Sequence, residues 1–246
     1  MADHLIEVCA VHRRLGGHDV LAGAELHVDP GETVMLAGVN GAGKSTLLKV
    51  LLDLRALDRG TIRIDGHPHT DRRARAGVAY LPERFQPPYF MRGLQYLEHA
   101  RRLYRAHCGR DEMVATAARL GLADAELGRP AQDYSKGMAQ MLGLAGCLVS
   151  GRGLLVLDEP MSGLDPTARR RLQQSLREAR AAGRTILFTS HLMQDATALA
   201  DRVLVLHAGR IVADAAPAEL AAEHGGDLEA AFVACVEGEP RPAATS

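Results

Sequence analysis

The stretch Gly38-Val39-Asn40-Gly41-Ala42-Gly43-Lys44-Ser45 fits the pattern G-x-x-x-x-G-K-S, a spacing whose chemistry is the capture of phosphate. Its glycines let consecutive main-chain N–H groups curl around phosphate oxygens, and a helix opening at the end of the loop adds its positive terminus. The local context suits phosphate capture, since the apolar run Val34–Ala37 precedes the loop and the helical pattern Thr46–Leu52 follows it. Lys44 is expected to reach the β- and γ-phosphates of a nucleoside triphosphate, and Ser45 to place its hydroxyl on Mg2+. The expected nucleotide contacts are therefore Gly38, Asn40, Gly41, Ala42, Gly43, Lys44, Ser45 and Thr46. Among 29 Lys and Arg residues only Lys44, Lys49 and Lys136 are lysine. A chain this fond of arginine keeps a compact ammonium where a planar guanidinium fork is too bulky.

A second chemical group follows at Leu154-Leu155-Val156-Leu157-Asp158-Glu159-Pro160, an apolar strand that ends in two acids. Such an ending sets carboxylates at the carboxyl edge of a parallel sheet, where ligands of α/β folds bind. Asp158 is expected to hold Mg2+ through water, and Glu159 to orient or deprotonate the water that attacks the γ-phosphate.

The elements that must position these groups are those of an α/β protein. Strands are expected at Leu5–Val11, Thr33–Ala37, Leu154–Leu157, Thr185–Thr189 and Val203–His207, alternating with longer helical patterns. Val20–Val28 and Thr61–Ile64, with turn signals at Asp29-Pro30-Gly31 and Asp65-Gly66, read as an antiparallel flank. Between about Arg84 and Arg129 strand signals fade while Leu94, Leu97, Leu103, Met113, Ala117 and Leu120 recur at helical spacing, which predicts an inserted helical subdomain over about 84–150. One domain is expected over 1–236, and the Pro-, Ala-, Ser- and Thr-containing tail 237–246 is expected to be disordered.

Composition narrows the classes further. With 246 residues, 47% hydrophobic, 24% charged and a net charge of −1, the chain has room for a full core and no global field to attract nucleic acid, so no nucleic-acid partner is expected. The start carries no basic region followed by an apolar stretch, and the longest uncharged run, from Gly137 to about Ser150, is too short to span a bilayer. Cys9, Cys108, Cys147 and Cys235 form no C-x-x-C pair, and His67 and His69 flank Pro68 in a turn, so neither a disulfide framework nor a structural metal is expected. The arginine groups Arg72-Arg73-Arg75, Arg101-Arg102-Arg105 and Arg169-Arg170-Arg171 read as solvated faces.

Taken in order along the chain, the loop at Gly38–Ser45, Tyr134-Ser135-Lys136-Gly137-Met138, the Asp158-Glu159 strand end, Ser162-Gly163-Leu164-Asp165 and His191 resemble the ATP-binding cassette (ABC) ATPases over nearly the whole chain. The resemblance implies a P-loop NTPase (RecA-like) core with a parallel sheet, ATP and Mg2+ as ligands, and a homodimer. Ser135 and Gly137 would then contact the γ-phosphate of ATP held by the opposite subunit, Asp165 would lie in a loop crossing the dimer interface, and His191 would sense the γ-phosphate. Ser135 and Asp165 also read as helix N-caps.

Two positions depart from the family pattern. Leu15 stands where an aromatic residue stacks on adenine, leaving apolar contact to the base, with His12 or His18 as substitutes. Glu83, in Tyr80-Leu81-Pro82-Glu83, replaces a glutamine near Mg2+ and offers a carboxylate ligand. Together with the Tyr-Ser-Lys-Gly-Met signature these variants resemble a branch of bacterial exporter ATPases with separately encoded permeases. The implied role is an exporter ATPase subunit, cytoplasmic and peripheral on the cytoplasmic face of the inner membrane, coupling ATP hydrolysis to a transmembrane permease. The alternatives are a soluble mechanochemical ABC ATPase acting on ribosomes or DNA, and a nucleotide-gated regulatory or scaffolding subunit with little turnover.

Overall fold

A computed structural model describes residues 4–238 and divides the chain into two compact units, one running to Ala76 and resuming at Thr189, the other spanning Gly77–Phe188. The first unit begins with β1 (Ile6–Leu15), β2 (His18–Val28), β3 (Thr33–Ala37), α1 (Lys44–Leu51), β4 (Arg59–Ile64), β5 (His67–Pro68) and α2 (Arg72–Ala76). The second holds β6 (Val78–Leu81), α3 (Gly93–Leu103), α4 (Arg110–Arg119), α5 (Asp124–Leu127), a 3-10 turn at Ala131–Asp133, α6 (Lys136–Val149), β7 (Leu154–Leu157), α7 (Pro166–Ala181) and most of β8 (Thr185–Ser190). The chain then returns to the first unit for α8 (Met193–Leu199), β9 (Arg202–His207), β10 (Arg210–Ala215), α9 (Pro217–Ala222) and α10 (Leu228–Glu237).

In the first unit β3 pairs in parallel with β9, aligning Met35 with Val203 and Ala37 with Val205, and β10 runs antiparallel along the far edge of β9. All five residues of β3 are buried, as expected of an apolar run inside a parallel sheet. A separate antiparallel sheet has the order β2-β1-β4-β5. The apolar pattern of Leu5–Val11 groups it with the buried strands of the main sheet; instead β1 is the middle of this antiparallel sheet, with Ile6 opposite both Val28 and Ile64. The sheets are tied within the unit by the Ala22 N–H donating to Gly209 O at 2.9 Å. Arg202 adds a second tie, with its Nη1 3.0 Å from His27 Nε2 and its Nε 3.0 Å from the Asp214 carboxylate.

The second unit is built on three parallel strands, β6 with β7 and β7 with β8, in registers that align Leu81 with Leu157 and Leu157 with Phe188. Phe188 and Leu155 are fully buried, each worth about 1.5–3 kcal/mol over exposure. The helix α6 is apolar nearly all round and buried along most of its length. Two of its glycines leave notches for neighbours: a Cβ at Gly143 would lie 2.6 Å from Leu81 Cδ1 and 2.7 Å from Phe85 Cδ1, and one at Gly146 would lie 2.9 Å from the Tyr96 hydroxyl. These notches seat the end of β6, the segment after it and α3 directly on α6. Asp165 caps α7 by accepting from Thr167 N at 2.8 Å and Ala168 N at 3.0 Å, with Pro166 in the first turn.

No helix among the described residues is long and apolar enough to cross a membrane. Of the tail expected to be disordered, Glu237 closes α10 and Gly238 caps it, while 239–246 lie outside the described residues.

Candidate functional site

In the first unit the buried strand β3 delivers the chain into the Gly38–Ser45 loop, and α1 starts at Lys44. The loop is held close to its neighbours at both ends. A Cβ at Gly38 would lie 2.6 Å from Leu206 O, and one at Gly43 would lie 2.8 Å from Val20 O. Gly43 also has φ +108°, a conformation that side-chain-bearing residues avoid, and it leads straight into α1 through the Leu47 N–H donating to Gly43 O at 2.8 Å. The Lys44 side chain is only 6% exposed, and its ammonium donates to Gly38 O at 2.6 Å and to Val39 O at 3.4 Å. A buried ammonium demands such partners. Asn40 and Gly41 are exposed at the crown of the loop, and Ser45 and Thr46 are half-buried on the first turn of α1.

The β1–β2 hairpin stands beside this loop, because Val20 is the residue whose carbonyl and side chain close over Gly43. Leu15 is half-exposed at the hairpin tip and pairs with His18. His191 is exposed in the turn leading to α8. That turn is braced by a pair that motif reading does not single out: buried Ser190 donates its hydroxyl to fully buried Asp195 at 2.7 Å and accepts from Leu192 N at 3.1 Å. A serine five residues before an acid, straddling a strand end, is the only local signal of it.

In the second unit Asp158 and Glu159 follow β7, 1% and 8% exposed. The Asp158 N–H donates to Leu81 O at 2.8 Å, prolonging the β6–β7 ladder. Glu159 has φ +47°, a left-handed backbone that is rare for a glutamate and that concentrates at functional sites. Tyr80 lies near both Asp158 and Glu83: burial pushes its phenol far above the usual range and the two carboxylates push it further. Its hydroxyl is buried with no hydrogen-bond partner among the described residues, whereas Glu83 is exposed in the turn after β6. In the sequence Tyr80 is no more than the residue flanking Leu81-Pro82-Glu83.

Ser135 is the N-cap of α6, its Oγ accepting from Met138 N at 3.2 Å, and Tyr134 donates to Glu126 O at 2.7 Å. The turn is covered by the segment that follows Glu159. A Cβ at Gly137 would lie 3.5 Å from Leu164 Cδ2, and one at Gly163 would lie 3.4 Å from Lys136 Nζ. The second unit thus holds Glu83, Ser135, Gly137, Asp158, Glu159 and the Asp165 segment, while the first holds Leu15, the Gly38–Thr46 loop and His191.

Residues 21–162, from β2 past Glu159, match the family described as ABC transporter. The chain belongs to the ABC transporter family. A Nod factor export ATP-binding protein I of Paraburkholderia xenovorans (strain LB400) is 37% identical over 234 residues, covering 93% of this chain and 76% of that protein. A daunorubicin resistance ATP-binding protein of Streptomyces coeruleorubidus is also 37% identical over 234 residues, covering 92% of this chain and 73% of that protein. The solved ATP-binding subunit of an ABC transporter superposes with a TM-score of 0.83 at 29% identity, over 94% of this chain and 99% of that one. As an ATP-binding subunit of the ABC transporter family the chain is an ATPase with the P-loop NTPase fold.

Proposed function

We propose that two copies of this chain bind two ATP molecules at a shared interface and that ATP-driven closure works a separate transmembrane permease in export. One observation carries most of this reading, the Lys44 ammonium held on the carbonyls of Gly38 and Val39 inside a loop too tight for side chains at Gly38 and Gly43. Such a preformed loop recognises a triphosphate through N–H groups and one ammonium, with Gly38, Asn40, Gly41, Ala42, Gly43, Ser45 and Thr46 around it. Ser45, Asp158 and Glu83 offer only oxygen donors, a set that suits Mg2+. When bound, that ion neutralises charge building on the β- and γ-phosphate oxygens.

Glu159 orients the attacking water and takes its proton, and His191, on a turn fixed by Ser190 and Asp195, senses the γ-phosphate. Ser135 and Gly137 contact the γ-phosphate of the opposite subunit, and Asp165 lies in the loop that crosses between subunits. Loss of the γ-phosphate removes the contacts that hold the pair closed. The helical subdomain of about 84–150 passes this movement to the permease. Docked on the permease from the cytoplasmic side, the chain is cytoplasmic and peripheral to the membrane. The relatives named for Nod factor export and daunorubicin resistance support the export direction.

The test compares ATP turnover and ATP binding in the wild type, Glu159→Gln and Lys44→Ala. Glu159→Gln is expected to lose about 100-fold or more in turnover, the amount general-base catalysis supplies, while still binding ATP; Lys44→Ala is expected to lose binding. Equal, negligible rates in wild type and Glu159→Gln would favour the scaffolding subunit. Copurification with ribosomes or DNA and no membrane protein would favour the soluble mechanochemical ATPase.

A further inference from the structure

Asp158 and Glu159 follow the end of β7; before its start, in the same unit, lies a cavity of about 240 Å³. Its walls are the turn 104–108 after α3, the end of α6 with the loop 150–152, and Arg184, which leads into β8. Three arginines line it, Arg105, Arg152 and Arg184, against one acid, Glu112, an excess of two positive charges. Arg105 and Glu112 are exposed at the rim, whereas Arg152 and Arg184 are half-buried. Among the described residues neither of these two has a carboxylate within ion-pair distance. Burial is the largest influence on Arg184 and draws its guanidinium below the ordinary range.

Helix capping accounts for only part of this arrangement. Arg184 gives Nη1 to Leu148 O at 2.9 Å, in the last turn of α6, and Arg152 gives Nη2 to Tyr104 O, at the end of α3. Each guanidinium carries five N–H donors, so capping leaves most of them over. The Nε of Arg152 is buried with no hydrogen-bond partner among the described residues, and its guanidinium lies over the Tyr104 ring at 5.8 Å. A cation drawn from water without a counter-ion is costly, and an oxyanion is the group that settles it. A carboxylate fills one guanidinium fork with its two oxygens. A phosphate group presents three or four oxygens, accepts from two forks at once, and brings close to two negative charges.

We propose that this cavity binds a small phosphate-class oxyanion, inorganic phosphate or a compact phosphomonoester, gripped by Arg152 and Arg184. The site is independent of the nucleotide reading, since the Gly38–Ser45 loop belongs to the first unit and every residue lining the cavity to the second. Its volume lies below that of pockets that take drug-sized ligands, which suits a bare anion. An anion bridging the two forks ties the end of α6 to the starts of β7 and β8. The other end of the same helix carries Ser135.

Cys108 lines the cavity and serves as a local probe, with exposed Cys9 of the first unit as the internal control. The full chain is alkylated with iodoacetamide at rising inorganic phosphate, with ionic strength held by sodium chloride, and both cysteines are followed by peptide mass spectrometry. Bound phosphate covers the Cys108 thiol and sets negative charge beside it, and both effects slow alkylation. The expected result is a slowing of Cys108 by about fivefold or more, half complete near about 1 mM, the strength of a few charge-assisted hydrogen bonds, with Cys9 unchanged. Arg152→Gln and Arg184→Gln are each expected to raise that half-point by about tenfold or more. No slowing in the wild type up to about 20 mM phosphate would overturn the site, whether or not the variants fold. Slowing that persists unchanged in both variants would also overturn it, as would slowing that vanishes in Lys44→Ala, which would put the anion on the phosphate loop. Protection by phosphatidylglycerol vesicles and none by phosphate would give the cavity to a lipid head group in place of a free anion.

Discussion

Replacing Gly43 with alanine tests how rigidly the phosphate loop is built. Two costs add at that position. Alanine at φ +108° is forced into a left-handed backbone at about 1–2 kcal/mol. Its Cβ would also sit 2.8 Å from Val20 O and 3.3 Å from Leu21 Cδ2, an overpacking penalty of about 1–3 kcal/mol because a strand carbonyl cannot rotate aside. The sum is about 2–5 kcal/mol, which for a chain of this size lowers the melting temperature by roughly 4–20 °C. Gly41→Ala supplies the matched control: φ is +85°, yet nothing lies within 4 Å of the added methyl, so only the backbone cost of about 1–2 kcal/mol applies. Urea denaturation of both variants, followed by circular dichroism, measures the difference directly. Equal losses of stability would refute the claim that the β2 hairpin strand clamps the loop at Gly43. A larger loss in Gly43→Ala, accompanied by weaker ATP binding, is the expected result.

Other perturbations follow the same logic. Asp165→Ala removes two hydrogen bonds at the start of α7 and is expected to cost about 1–2 kcal/mol in urea unfolding; Asp165→Asn should recover most of it. Tyr80→Phe deletes a buried hydroxyl without a hydrogen-bond partner and is expected to stabilise the protein by about 1 kcal/mol, seen as a melting point higher by about 2–4 °C. Cys147 is fully buried and its thiol is pushed up to about 12, so in mildly alkaline buffer a thiol reagent should modify exposed Cys9 and leave Cys147 intact until the protein unfolds. Asp71, drawn down to about 2 by the Arg73 guanidinium and N–H, keeps its stabilising charge above the usual carboxylate range and loses it as pH falls toward 2; carboxyl NMR of Arg73→Ala should show its titration moving up only part of the way to the ordinary range, because the N–H of residue 73 still donates to it.

The placement of the motifs beside their elements was more legible in the sequence than the pairing of the strands. The Gly38–Ser45 loop lies between β3 and α1, and Asp158-Glu159 lies at the end of β7, because each motif is a local run of residues beside the element that presents it. The strands at Thr33–Ala37, Leu154–Leu157 and Thr185–Thr189 read correctly for a related reason: short, largely apolar runs belong inside parallel sheets. The place of β1 did not, since its partners, Val28 and Ile64, are 22 and 58 residues away from Ile6 and pairing over such distances leaves no local trace. Likewise β6 has only four residues and interrupts its apolar run with Tyr80, too little to separate a strand from a loop by pattern. The brace between Ser190 and Asp195 and the close seating at Gly143 and Gly146 depend on side-chain directions that spacing alone does not fix.

The two notches in α6 carry a mechanical corollary. A helix that touches its neighbours through bulky side chains can let them slide, since rotamers absorb small displacements. Here Leu81 and Phe85 meet bare backbone at Gly143, and Tyr96 does so at Gly146. Close-packed interiors are nearly incompressible. A push on the stretch between Leu81 and Tyr96 is therefore handed to the helix axis with little slack, and arrives one stiff rod later at Ser135.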